Sequence, residues 1–160
     1  MNAGARSLGH DEIARLIPHQ GSMCLLSRIE RWDAQTLVGF AGNHRDASHP
    51  LRTRRGLLSC TLIEYAAQAT AAHGGLQLLA ANGPAHLARP GLLASARQVK
   101  FSRLALDQLP PLVPDELRIE VRRDAGDERH WLYAFTAHHG ATELASGRIA
   151  VALASPPTAT

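Results

Sequence analysis

Between residues 56 and 80 the chain holds no proline and one charged residue, Glu64, and this stretch limits the fold more than any other. Leu57, Leu58, Cys60, Leu62, Ile63, Tyr65, Ala66, Ala67 and Ala69 place apolar side chains around nearly the whole circumference of a helix. That pattern belongs to a helix buried on most sides, not to one lying on a surface. The rest of the chain must therefore supply its wall. Gly74 and Gly75 are expected to end its regular part, with the apolar run resuming at Leu76.

The flanking sequence reads as that wall. Residues 11–17 form a short amphipathic helix that Pro18 and Gly21 should end. Residues 23–29 and 36–41 read as strands around a polar turn at 33–35, followed by a polar loop over 43–55. After a loop at 81–90 come four strand-like runs at 92–101, 116–123, 131–138 and 142–152, with turns at 124–127 and 139–141. Two strands, one long buried helix and four strands specify an α+β domain in which a curved antiparallel sheet wraps the helix. This is the hot-dog layout, here with a short N-terminal helix. One domain over 1–160 is expected, ordered from about 9 to 153 with frayed ends at 1–8 and 155–160. A single wrapped helix leaves a sheet edge uncovered, so the sheet is expected to continue across a dimer.

Composition narrows the setting. No window has the roughly 18–20 apolar residues of a membrane span, and residues 1–10 lack the apolar core of a secretory signal. A cytoplasmic location is expected. Cys24 and Cys60 sit in apolar runs without metal spacing and read as buried hydrophobes. The formal charge of +3 leans toward an anionic partner, but aromatics are only 4% of the chain and do not interleave with its arginines. Nucleic-acid binding is therefore not expected.

Glu64 is the leading candidate for chemistry. A carboxyl group on an apolar helix is costly unless it is paired or neutral, and a carboxyl kept from water suits general-acid work. Thr61, Glu64 and Gln68 share one narrow polar stripe at spacings of three and four. The bland alternative is a glutamate bonded to Gln68 or to an arginine. His19, in Pro18-His19-Gln20-Gly21, and His49, in Ser48-His49-Pro50-Leu51, are rival bases; each also reads as an ordinary loop histidine. His44, His73, His86, His130, His138 and His139 make no ligand-like set along the chain, so no metal is expected. Arg52, Arg54 and Arg55 form either a solvated face or a docking patch for a phosphate or an acidic surface. The backbone N–H groups of Leu57 and Leu58 at the helix start are a candidate oxyanion site. The serine-hydrolase elbow and the phosphate-binding glycine loops are absent.

The segments Ile17-Pro18-His19-Gln20-Gly21-Ser22-Met23-Cys24-Leu25-Leu26, His49-Pro50-Leu51-Arg52 and Ile63-Glu64-Tyr65-Ala66-Ala67-Gln68-Ala69, with His73-Gly74, resemble the 3-hydroxyacyl-carrier-protein dehydratases of aryl polyene gene clusters. Leu92-Ala94-Ser95-Arg97 and Glu143-Ser146-Gly147 extend the likeness over most of the chain. The resemblance implies a hot-dog dehydratase with a His/Glu dyad shared across a dimer. It implies Glu64 as acid with Gln68 in support, and His19 as the preferred base with His49 as the alternative. No cofactor is implied beyond the phosphopantetheine arm of an acyl carrier protein. A homodimer is expected, a heterodimer with a related hot-dog chain being the other arrangement. The rival activities are an acyl thioesterase and a non-catalytic partner subunit.

Overall fold

The computed structural model describes residues 6–83 and 91–153. In chain order the elements are β1 (Leu8–Gly9), α1 (His10–Ala14), β2 (Arg28–Trp32), β3 (Thr36–Ala41), α2 (Leu62–Asn82), β4 (Gly91–Phe101), β5 (Leu117–Gly126), β6 (His130–His139) and β7 (Thr142–Leu153). The strands form one seven-stranded antiparallel sheet in the order β1-β2-β3-β5-β6-β7-β4. Its concave face wraps α2, which is the hot-dog arrangement.

Strand periodicity builds the inner wall. Along β6, Trp131, Tyr133, Phe135, Ala137 and His139 are buried while their neighbours are less so, and β5 turns Leu117, Ile119 and Val121 inward. On α2 the partly open positions Ile63, Glu64, Ala67 and Ala71 fall on one stripe, with most other positions up to Leu76 buried. The helix does not end at Gly74. A Cβ there would lie 1.9 Å from the Trp131 ring, so the glycine is what lets helix and sheet approach.

Several boundaries differ from the sequence reading. Residues 23–27 are not strand: a short 3-10 turn at Gly21–Met23 leads into an extended segment, and β2 starts at Arg28. Leu8, expected to fray, pairs with Ile29. The first helix stops at Ala14, and β5 runs through Asp124 to Gly126 with a bulge at Arg123/Ala125. Cys24 is buried, but Cys60 is exposed. The expected loop over 84–90, with His86, and the expected frayed ends at 1–5 and 155–160 lie outside the described residues.

β4 closes the sheet on one side as an edge strand of 11 residues. Its exposed positions mix apolar Leu92, Leu93 and Phe101 with polar Arg97, Gln98 and Lys100, Leu92 keeping 72% of its exposure. A long edge of this kind is a template for another strand.

Candidate active site

The site is built from two pieces of chain, the segment after α1 and the first two turns of α2. Gln20 secures the first piece by donating from Nε2 to the Ala14 and Ile17 carbonyls, which lie at the open end of α1. Gln68 joins the two. Its side chain is fully buried; Nε2 donates to the Met23 carbonyl at 2.7 Å and to Glu64 Oε1 at 3.0 Å, and Oε1 accepts from the Leu25 N–H at 2.8 Å. A carbonyl on one end and an N–H on the other fix which way the amide points.

This clamp sets His19 over Glu64. His19 Nε2 lies 3.0 Å from Glu64 Oε1, with both side chains about 30% exposed (30% and 29%). His19 Nδ1 is buried and has no hydrogen-bond partner among the described residues. The pair is thus a partly open acid and an imidazole with one nitrogen on the carboxylate and one unused. Both partners of this contact belong to one chain, whereas the resemblance implies a dyad shared across a dimer. Glu64 is less enclosed than its apolar flanks suggest, because its stripe is the open one.

His49 does not join the pair. Its ring is buried; Nδ1 accepts from the Leu51 N–H at 3.1 Å and Nε2 lies 2.9 Å from the Tyr65 hydroxyl, which in turn donates to Asn43 Oδ1 at 2.7 Å. An accepting Nδ1 puts the ring proton on Nε2, so both nitrogens are committed to holding the 43–55 loop against α2. Burial pushes its pKa down.

Two further expectations change. The Leu57 N–H donates to Asp107 Oδ2 at 2.8 Å and is not free for an oxyanion, leaving Leu58 of that pair. The Arg52 guanidinium is engaged within the chain: it donates to Asp107 Oδ1 at 2.7 Å and to the carbonyls of Asp46 and His44. Arg54 and Arg55 are exposed in a tight turn closed by mutual Thr53 and Gly56 backbone bonds, just before the helix start. Asp107 could not be found from the sequence, since it acts 50 residues from Leu57.

An apolar crevice lies along α2 beyond the pair. Pro18, Ala71, Gly75, Leu78, Trp131 and Leu153 line it, and the large Trp131, Leu78 and Leu153 side chains leave it narrow, about 10 Å³ in volume. Among the described residues, one group of metal-capable side chains also comes together: His44, Asp115 and His139. No described helix is long and apolar enough to cross a membrane.

The profile of the ApeP-like family, described as ApeP dehydratase, matches residues 11–159. No curated protein matches the chain. Among solved structures, the dehydratase heterocomplex ApeI:P from Xenorhabdus doucetiae superposes with a TM-score of 0.77 at 21% identity, over 89% of this chain and 91% of that one. AziG of S. sahachiroi gives 0.58 at 15% identity, over 89% of this chain and all (100%) of that one. The fluoroacetyl-CoA thioesterase FlK gives 0.51 at 13% identity, over 74% and 84%. At these identities the structural likenesses speak for the fold, which thus hosts both dehydration and thioester hydrolysis.

Proposed function

Because the chain belongs to the ApeP-like dehydratase family, the aryl-polyene-type hot-dog dehydratases, we propose that it removes water from a 3-hydroxyacyl thioester on an acyl carrier protein, using His19 and Glu64. The observation that carries this reading is the division of labour on the imidazole. Nε2 sits on Glu64, and Nδ1 is sheltered and unpartnered.

In the proposed step the thioester carbonyl acidifies the C2 proton, which passes to His19 Nδ1. The electrons of the C2–H bond form the C2=C3 double bond as the C3–O bond breaks. The imidazole passes its Nε2 proton to Glu64, and Glu64 gives it to the departing hydroxyl, which leaves as water. Protons and electrons balance without a redox partner, so no cofactor is needed beyond the carrier's phosphopantetheine arm. Gln68 donates to Glu64 Oε1 and keeps the carboxyl facing the ring. The acyl tail is proposed to follow the line of Pro18, Ala71, Gly75 and Leu78, and it must open this crevice, which holds only about 10 Å³ as it stands. Exposed Arg54 and Arg55, at the mouth of the helix, meet the acidic carrier.

The open edge of β4 is where a second hot-dog chain would add its strand. That chain is either a second copy or a related dehydratase, as in the heterocomplex named above.

The deciding experiment is mass spectrometry of the carrier after incubation with a carrier-bound 3-hydroxyacyl substrate. The expected product is an enoyl thioester 18 Da lighter than the substrate, by the mass of one water. Free carrier thiol would instead mean hydrolysis, the second reading, which the solvent access of Glu64 permits. Turnover only after a second dehydratase chain is added would make this chain a supporting subunit.

A further inference from the structure

The sheet brings three side chains together that lie far apart in sequence. β3, β5 and β6 are neighbours, and Ala41, Leu117 and His139 stand opposite one another across them. Just beyond this row lie His44, in the loop leaving β3, and Asp115, in the segment entering β5. His139 ends β6. Their ligand-capable atoms all lie within 4.8 Å of one another.

His44 is the unusual member. It is completely buried, and neither ring nitrogen has a hydrogen-bond partner among the described residues. Two unmet polar atoms in the dry interior are expensive, and native structures rarely leave them so without a bound group to meet. The ring is aimed: Nε2 lies 3.4 Å from Asp115 Oδ1 without hydrogen-bond alignment. The same oxygen is 2.7 Å from Nε2 of His139, which is also buried.

We propose that His44 Nε2, Asp115 Oδ1 and His139 Nε2 form a binding site for a divalent transition metal of the zinc class. Two imidazoles and one carboxylate are the donors such ions take, whereas magnesium and calcium prefer oxygen throughout. The spacing also fits. Ligands about 2.0–2.2 Å from a tetrahedral centre stand roughly 3.3–3.6 Å apart. The His44 to Asp115 separation of 3.4 Å already has this value, and the His139 contact at 2.7 Å need open only slightly. Each ring then carries its proton on Nδ1, so the ion meets one of the two His44 nitrogens, Nε2.

Arg45 is compatible with the ion. Its Nε donates to the other carboxylate oxygen, Oδ2, and its Nη2 is anchored on the Leu109 carbonyl at 2.9 Å, with a longer contact of 3.4 Å to Oδ1. The guanidinium thus orients Asp115 from behind, the part that outer-shell groups play around metal ligands. Among the described residues none of the three ligands bonds to His19 or Glu64, and the part proposed for the site is to pin three strand ends together. Chain spacing hid the set, because 44, 115 and 139 form no local motif.

The test uses the full chain, stripped with a chelator, desalted and given one equivalent of Co2+. The folded protein is expected to retain the ion through a second desalting, to show the strong visible d–d bands of a low-coordinate site, and to lose them when Zn2+ is added. His44→Ala and His139→Ala should each weaken retention by more than the roughly 10–100-fold that outer-shell changes cost. His130→Ala, at an exposed histidine, should leave it unchanged. If either ligand variant fails to fold, the paramagnetically shifted imidazole signals of the parent decide: they must belong to His44 and His139. A folded parent that retains no Co2+, or one whose shifted signals come from other histidines, overturns the site.

Discussion

His19 and Glu64 meet at 3.0 Å inside one chain, joined by neither sequence proximity nor a second subunit. What brings them together is the Gln68 amide, which holds the backbone after His19 with one set of bonds and the Glu64 carboxylate with another. In the proposed reaction the two groups therefore act as a unit. His19→Asn and Glu64→Gln should each lower the dehydration rate roughly 10²–10⁴-fold with the fold intact. The double variant should be little worse than either, as expected when one relay is broken at two points. Circular dichroism and single-turnover rates on the three proteins check this.

His49→Ala should separate from His19→Ala. With its nitrogens spent on Leu51 and Tyr65, His49 is expected to act as a structural pin. Its loss should cost roughly 1–3 kcal/mol by urea unfolding, since the Tyr65 hydroxyl and the Leu51 amide lose their partner. Most of the activity should remain at temperatures where the variant is folded. A His49→Ala protein that is stable yet inactive would return the role of base to His49.

Gln68→Met keeps the volume of the buried side chain and removes its polar atoms. The Leu25 N–H and the Met23 carbonyl lose their side-chain partner, so a destabilisation of roughly 2–4 kcal/mol is expected from the two exchanges together. The same change frees the Glu64 carboxylate and the His19 segment, so kcat should fall more than KM rises. Unchanged kinetics in the folded variant would separate the clamp from the reaction.

His73 makes stability depend on pH. Its ring is buried between the Tyr133 hydroxyl at 2.7 Å and the Asp33 carbonyl at 2.8 Å, with Gln77, the Asp33 carboxylate and Arg123 as its other polar neighbours. Burial holds its pKa below the ordinary 6.5. Above that value the ring is neutral in folded and unfolded chains alike, and its contribution is complete. As the pH drops below 6.5 the unfolded chain takes the proton first, and stability declines by up to about 1.4 kcal/mol per pH unit until the folded pKa is passed. Urea midpoints between pH 7.5 and 5 should fall less steeply for His73→Gln than for the parent.

Ala71→Phe places a ring in the floor of the apolar crevice. Short acyl substrates should turn over as before, and long ones should lose roughly 10–100-fold in kcat/KM, the scale at which apolar pockets discriminate by size. Equal losses for both lengths would move the acyl tail elsewhere.

The sequence disclosed the enclosed helix and the bounds of β3, because each rests on local periodicity; it overstated the enclosure of Glu64, whose stripe is the open one. It misplaced β2 for a physical reason. Met23, Cys24 and Leu25 read as a strand, yet the Met23 and Cys24 amides bond back to Gln20 and Gly21, and the Met23, Cys24 and Leu25 carbonyls and the Leu25 amide meet side chains of Gln68, His10 and Asn43, not a neighbouring strand. Burial without a ladder looks the same in sequence as burial with one. The fate of the Leu57 amide and of Arg52 was likewise hidden, since both depend on Asp107, whose place is set only by tertiary packing.

Cys60 stands exposed one helical turn before Glu64, while burial raises the pKa of Cys24, the chain's other thiol. The molecule therefore arrives with its own selective attachment point four residues before Glu64 in the chain. A fluorophore coupled there by ordinary maleimide chemistry would brighten or quench as a carrier docks, turning substrate arrival into an optical signal without altering a single codon.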